Sequence, residues 1–155
     1  MKMENSDIKI DKEGIWYFRG AHMFRKEILS IFFDHLRTDE HGRYYIELGQ
    51  EACYLDVEDT AFVVSSAYRK KLDGDTAEHI YIKLTDDSWE KLDLGSLSLS
   101  KENIPYCKVK NGKFAARFSR QGYYQLTEYI EHDEKNHSFY INQNNEKFYI
   151  NHYVS

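Results

Sequence analysis

Proline is nearly absent. Pro105 is the single one in 155 residues, which excludes a proline-rich linker or a polyproline segment. Cysteine is almost as scarce. Cys53 and Cys107 make neither a CxxC pair nor a disulfide framework. Both fall at inward positions of alternating strand patterns, where a free thiol serves as a small core residue. No stretch approaches the ~18 apolar residues of a membrane helix, and the opening MKMENS has no apolar leader region. A cytoplasmic protein without a membrane partner is expected. There is no GxSxG, no glycine-rich phosphate loop and no recognisable Cys–His spacing. His132 and His137 flank Asp133 and Glu134 at a spacing that matches no ligand motif. Glu58 and Asp59 are strand neighbours and point to opposite faces, so they make no acid/base pair. The expectation is no catalytic residue, no metal and no cofactor.

What the chain has in quantity is rings. Aromatic residues are 15% of it, 13 of them Tyr. Core and rim must be built largely from Tyr and Phe, whose hydroxyls need partners where buried. A length of 155 residues suits one domain or two small halves sharing a core. Such a chain buries roughly 68–70% of its unfolded surface without staples. The net charge of −5 argues against a general nucleic-acid coat protein but leaves room for a local basic face.

Phe24 to Leu36, FRKEILSIFFDHL, reads as one amphipathic helix. Phe24, Ile28, Ile31, Phe32, His35 and Leu36 form a stripe of period 3.6. Leu29 and Phe33 widen it, which predicts deep packing, and the polar run up to Gly42 stops it. A shift of 95 positions carries this helix onto QGYYQLTEYIEH, with Ser119 as its N-cap. The same shift carries Tyr44-Tyr45-Ile46 onto Phe139-Tyr140-Ile141, and Cys53-Tyr54-Leu55 onto Phe148-Tyr149-Ile150. One offset that matches a helix and both following strands predicts an internal duplication.

The remaining elements are strands and turns. Asp7 to Met23 reads as a hairpin turning at Lys12-Glu13-Gly14. Phe62-Val63-Val64 starts a further strand, Tyr68 to Glu78 reads as a mobile loop around Asp73-Gly74, and Ile80 to Leu84 is a strand with Trp89 to Leu94 pairing back. Asn111-Gly112 is a type I′ hairpin dipeptide. It pairs Val109 with Phe114, Lys108 with Ala115, Cys107 with Ala116 and Tyr106 with Arg117, and buries Cys107, Val109, Phe114, Ala116 and Phe118. A last hairpin turns at Gln143-Asn144-Asn145-Glu146. The organisation is an N-terminal unit over 7–64, connecting strands and loop over 65–102, and a C-terminal unit over 103–155, in one globule.

Ile10-Asp11 with Gly14 and Trp16, then the helix, then Val57-Glu58-Asp59 with Phe62, then Arg117-Phe118-Ser119-Arg120 with Tyr123-Tyr124 and Leu126, stand in an order that resembles the bacterial family named domain of unknown function 1285. Two places depart from the family pattern. Ala61 stands where a proline is usual, and Gly49-Gln50-Glu51 stands where Thr-Pro before a glutamate is usual. The resemblance implies a duplicated α+β core whose C-terminal half is superficially like a pleckstrin-homology fold. It also implies that no activity is established, with a signalling-type, macromolecule-binding role ahead of catalysis.

Candidate binding residues come from charge. Arg25 and Arg120 open the two helices, where a cation opposes the macrodipole at ~0.3–1 kcal/mol if exposed. Each is offset either by an ion pair with the acidic turn of Glu51, Asp56, Glu58 and Asp59 or its counterpart, or by an anion held with the helix N–H groups. Lys108, Lys110, Lys113 and Arg117 form a basic hairpin face. It is either a solvated sheet face or a surface for an acidic protein or a nucleic acid, with Tyr106 placed to stack.

The reading is an α+β fold of two similar antiparallel hairpin–helix–hairpin units packed together. The function expected is a non-enzymatic binding and regulatory module with another protein as partner, held at the junction of the units; nucleic acid is a lesser candidate and a homodimer a further one. The alternative is a small-molecule sensor or enzyme with a pocket at that junction.

Overall fold

The computed structural model describes residues 3–152. They fall into two compact units that divide between Ala61 and Phe62.

The first unit runs β1 (Glu4–Ile10), β2 (Trp16–Phe18), β3 (Ala21–His22), α1 (Lys26–Asp34), β4 (Leu36–Thr38), β5 (Tyr44–Leu48) and β6 (Glu51–Val57). The strands form a six-stranded sheet in the order β3-β2-β1-β6-β5-β4. β1 pairs antiparallel with β2 and parallel with β6. Ile8, Ile10, Trp16, Phe33, Leu36, Ile46, Leu55 and Ala61 are its buried apolar residues. The Trp16 ring stacks on Phe32 at 6.1 Å and meets Phe33 edge-on at 5.0 Å. Its Nε1 has no hydrogen-bond partner among the described residues.

Two expectations about the first helix fail. It is shorter, Lys26–Asp34, and it is not deeply packed: Phe33 is its only buried residue, while Phe24 is 75% and Ile31 49% exposed. The apolar stripe was broad enough for burial, but the chain leaves the helix at His35, whose N–H bonds to Phe32 O. Leu36 then joins the sheet opposite Ile46. His35 is a C-cap with Nδ1 2.8 Å from Ile31 O, not a core side chain.

The second unit runs β7 (Phe62–Lys70), β8 (His79–Leu84), β9 (Trp89–Lys91), a 3-10 turn (Leu94–Ser96), β10 (Ser98–Leu99), β11 (Pro105–Val109), β12 (Phe114–Phe118), α2 (Arg120–Thr127), β13 (Ile130–Asp133), β14 (Ser138–Gln143), β15 (Glu146–Tyr149) and β16 (Asn151–His152). A seven-stranded sheet has the order β16-β10-β11-β12-β7-β8-β9, and β13-β14-β15 form a three-stranded one. The segment 65–102 thus supplies strands to the larger sheet, and β7 runs through Tyr68 to Lys70 where a loop was expected. The β11–β12 pairs are those that the Asn111-Gly112 turn dictates, from Tyr106–Arg117 to Val109–Phe114. The second helix stops at Thr127, before the expected Glu131-His132, because Ile130 to Asp133 pair with β14 instead.

The α2 N-terminus is built against β7. Ser119 Oγ accepts the Gly122 N–H at 3.0 Å, the predicted cap, and Ser119 N–H donates to Val64 O at 2.9 Å. Side chains of α2 and its C-terminal end also satisfy the β7 edge. Gln125 Oε1 accepts Ala67 N–H at 2.8 Å, and the Tyr129 hydroxyl accepts Arg69 N–H at 3.0 Å.

The fold is α+β and its two units repeat one motif. Tyr45–Tyr54, Ile46–Cys53, Glu47–Ala52 and Leu48–Glu51 are partners across β5–β6. At 95 positions on, Tyr140–Tyr149, Ile141–Phe148, Asn142–Lys147 and Gln143–Glu146 are partners across β14–β15. An aspartate turn is repeated too. Asp39 caps the N–H groups of His41 and Arg43 and accepts the Tyr54 hydroxyl at 3.2 Å. Asp133 caps Lys135 and Asn136 and accepts the Tyr149 hydroxyl at 2.8 Å. Burial acts to raise the Asp39 carboxyl, but the Arg43 and His41 bonds outweigh it and hold it below the usual range. The Tyr149 hydroxyl does most to lower Asp133.

Candidate functional site

The structure separates the charge-bearing candidates. Arg25 is the N-cap of α1, with Nε 3.2 Å from Glu27 Oε1. Both side chains are 68% exposed, so the pair contributes little, and its anion is on the helix itself rather than in the acidic turn. Arg120 is exposed at the first position of α2 and has no ion-pair partner among the described residues. Lys108 and Lys113 are exposed and Arg117 is half-buried. Tyr106 lies opposite Arg117, and Lys108 opposite Ala115.

Lys110 goes elsewhere. Its Nζ lies 2.7 Å from Asp86 Oδ2 and 2.9 Å from Ser88 Oγ, and its N–H reaches Glu90 at 3.3 Å. Burial would raise the Asp86 carboxyl, but the bonds from Lys110 and Ser88 overcome it and hold the group below its usual range. Lys110 therefore ties the β11–β12 turn to the β8–β9 turn. The left-handed backbone of Lys110, φ 55°, turns it out of the strand face on which sequence reasoning had placed it.

A second surface was missed. The register of β7, β8 and β9 sets Tyr68 opposite Tyr81, Tyr81 opposite Lys91, and Lys83 opposite Trp89. The pleat puts all five, with Lys70, on one face. Trp89 is 41% and Tyr68 43% exposed. Their rings are 6.3 Å apart, and Lys70 Nζ sits 3.9 Å from the Trp89 ring centroid. Gln125 Nε2 donates to the Tyr68 hydroxyl at 2.7 Å and holds that ring. Lys91 pairs with Asp75 at 3.0 Å and Lys83 with Asp87 at 3.8 Å, while Lys70 has no carboxylate partner among the described residues. The signal was available as Tyr-x-Lys and Trp-x-Lys, an aromatic and a cation two apart on each of two strands. Residues 1–61 hold 13 of the 26 acidic and 8 of the 21 basic residues, so the whole net charge of −5 lies there and residues 62–155 are balanced.

The second unit also contains a half-open cavity of about 410 Å³. Leu99, Asn103, Tyr123, Thr127, Ile130, Phe139 and Ile150 line it. Tyr123 and Thr127 project from successive turns of α2, and Ile130 and Phe139 come from β13 and β14. The Thr127 hydroxyl donates to Tyr124 O at 2.6 Å. The Asn103 side chain and the Tyr123 hydroxyl have no hydrogen-bond partner among the described residues. Among the described residues no helix is long and apolar enough to cross a membrane.

No family model matches the sequence, and no curated protein does either. Solved structures do. A DUF1285 family protein from Silicibacter pomeroyi DSS-3 superposes with a TM-score of 0.76 at 18% identity, over 95% of this chain and 80% of that one. A DUF1285 family protein from Shewanella baltica OS155 gives 0.63 at 15% identity, over 78% of this chain and 90% of that one. In its fold, this chain resembles the proteins of the DUF1285 family.

Proposed function

We propose that the chain is a non-enzymatic binding module of regulatory type, and that its partner is a protein with an acidic surface. The observation that carries this is the outer face of β7–β8–β9, where Trp89 and Tyr68 are exposed beside Lys70. Trp and Tyr are the side chains that dominate interface centres, since each removes a large rigid area from water. Lys70 adds a cation with no carboxylate of its own, which a carboxylate on the partner complements. Exposed Lys108, Lys113 and Arg120 belong to the same balanced unit and extend its capacity for anionic contacts; Arg117 is half-buried beside them, and Arg25 is a separate exposed cation on the first unit.

The test is capture by the tagged full chain from its native lysate, with and without nuclease, repeated with Trp89→Ala and Lys70→Glu. A partner that survives nuclease and binds Trp89→Ala about 30-fold more weakly is expected, the size of a ~2 kcal/mol truncation at an interface centre. Loss of the partner on nuclease treatment, with steep salt dependence, assigns the face to nucleic acid. A partner held equally by both variants removes this face from the function.

A further inference from the structure

We propose that the cavity in the second unit binds a small, uncharged, mainly aromatic or aliphatic molecule carrying one amide or hydroxyl group. Its volume of about 410 Å³ lies within the ~300–1,000 Å³ of small-molecule sites. Its walls hold five apolar or aromatic side chains, two side chains that can hydrogen-bond besides, and no ionisable carboxylate, ammonium or guanidinium. A charged ligand would lose part of its hydration there, with no opposite charge among the lining side chains to compensate it. An uncharged one keeps its apolar surface against Leu99, Ile130, Phe139 and Ile150.

The backbone that carries Asn103 is fixed, and the Asn103 amide and Tyr123 hydroxyl are unoccupied by protein. Asn103 sits at φ 62°, a left-handed conformation that asparagine tolerates. Its N–H donates to Ser100 O at 2.9 Å, and Ser100 Oγ accepts Ile104 N–H at 3.1 Å, so the turn that carries it is closed. Its side-chain amide offers both a donor and an acceptor. Tyr123, one turn of α2 before Thr127, offers a hydroxyl. Thr127 is already bonded to the helix. A ligand amide or hydroxyl between Asn103 and Tyr123 satisfies both.

The experiment uses three molecules of one shape and three charges, 2-naphthamide, 2-naphthoate and 2-naphthamidine, titrated into the full isotope-labelled chain and followed by amide chemical shifts. The expected result is saturable shifts at Asn103, Tyr123, Ile130 and Phe139 with 2-naphthamide, and weaker binding of both charged analogues. Asn103→Gly keeps the positive φ and removes the amide, and Tyr123→Phe keeps the ring and removes the hydroxyl. Each weakens 2-naphthamide about two- to tenfold, as the loss of one hydrogen bond does, while Trp89→Ala leaves it unchanged. Equal binding of the three molecules, shifts away from the cavity, indifference to both cavity variants, or no shifts at millimolar ligand would each overturn the proposal.

Discussion

The backbone of α2 comes so close to β7 at Gly122 that a Cβ there would stand 2.5 Å from the Val64 carbonyl oxygen. Two effects of Gly122→Ala oppose one another. Alanine is the better helix former by ~1 kcal/mol. The contact, however, is with backbone, which cannot rotate aside, and that oxygen already accepts the Ser119 N–H; overpacking of this kind costs ~1–3 kcal/mol. The clash wins. Gly122→Ala is expected to destabilise the protein by up to about 2 kcal/mol, read as a lower urea midpoint at unchanged slope. A higher midpoint would mean that α2 can pivot off β7. Ser119 was legible as a cap because capping is a local matter of side chain and helix start. Gly122 was not, since the reason for the glycine is a strand 58 residues earlier.

At the scale of elements, the segment between β7 and β8 is pinned rather than free. Asp75 Oδ2 accepts the Tyr81 hydroxyl at 2.5 Å and the Leu72 N–H at 3.0 Å, and Oδ1 meets Lys91 at 3.0 Å. The Tyr81 bond does most to hold the Asp75 carboxyl far below the usual range, and the same bond pushes Tyr81 up to about 12. The signs follow. A lowered Asp75 stabilises the fold above its ordinary value of ~3.9, and that contribution is lost as pH falls through the folded value. A raised Tyr81 stabilises it below ~10, and that is lost as pH rises through about 12. The thermal midpoint is expected to be level near neutrality and to fall on both flanks. Asp75→Asn should lower the plateau and flatten the acid flank, checked by circular dichroism melts across pH. Asp73-Gly74 read as a mobile loop because the bonds that fix it, from Asp75 to Tyr81 and Lys91, form only once β8 and β9 are paired. The strands that ended both helices early were hidden for the same reason: Leu36 and Ile130 fit a helical stripe equally well, and pairing with Ile46 and Ile141 decided them.

For the molecule as a whole, the two thiols report on different things. Burial pushes the Cys107 thiol up to about 12, with Glu90 and Asp93 adding to it. Cys53 is only half-buried, against the expectation of an inward core position, since its strand neighbours are incompletely covered in a unit whose helix buries a single residue. Ellman's reagent on the native protein is expected to label Cys53 promptly. Cys107 should follow only at the rate at which the seven-stranded sheet opens, and both should react at once in denaturant. Prompt labelling of both would place Cys107 at a breathing edge. The fold class, the duplication and the hairpin register were legible because they rest on period and turn chemistry. The Trp89 face left only its separate Tyr-x-Lys and Trp-x-Lys pairs in the sequence, and the cavity left nothing, because each joins segments that the tertiary fold brings together.

The repeated β5–β6 and β14–β15 pairings carry one more consequence. The spacing of 95 runs from Tyr45 to Tyr54 without an insertion or deletion, and every cross-strand partner is kept. The two hairpins therefore share length and register but not surroundings, since β6 also pairs with β1 while β15 ends its sheet. The side chains on that register differ on both faces: Phe148 stands where Cys53 does beside the buried isoleucine, Gln143 where Leu48 does, and Lys147 where Ala52 does. One backbone register thus carries two unlike sets of side chains.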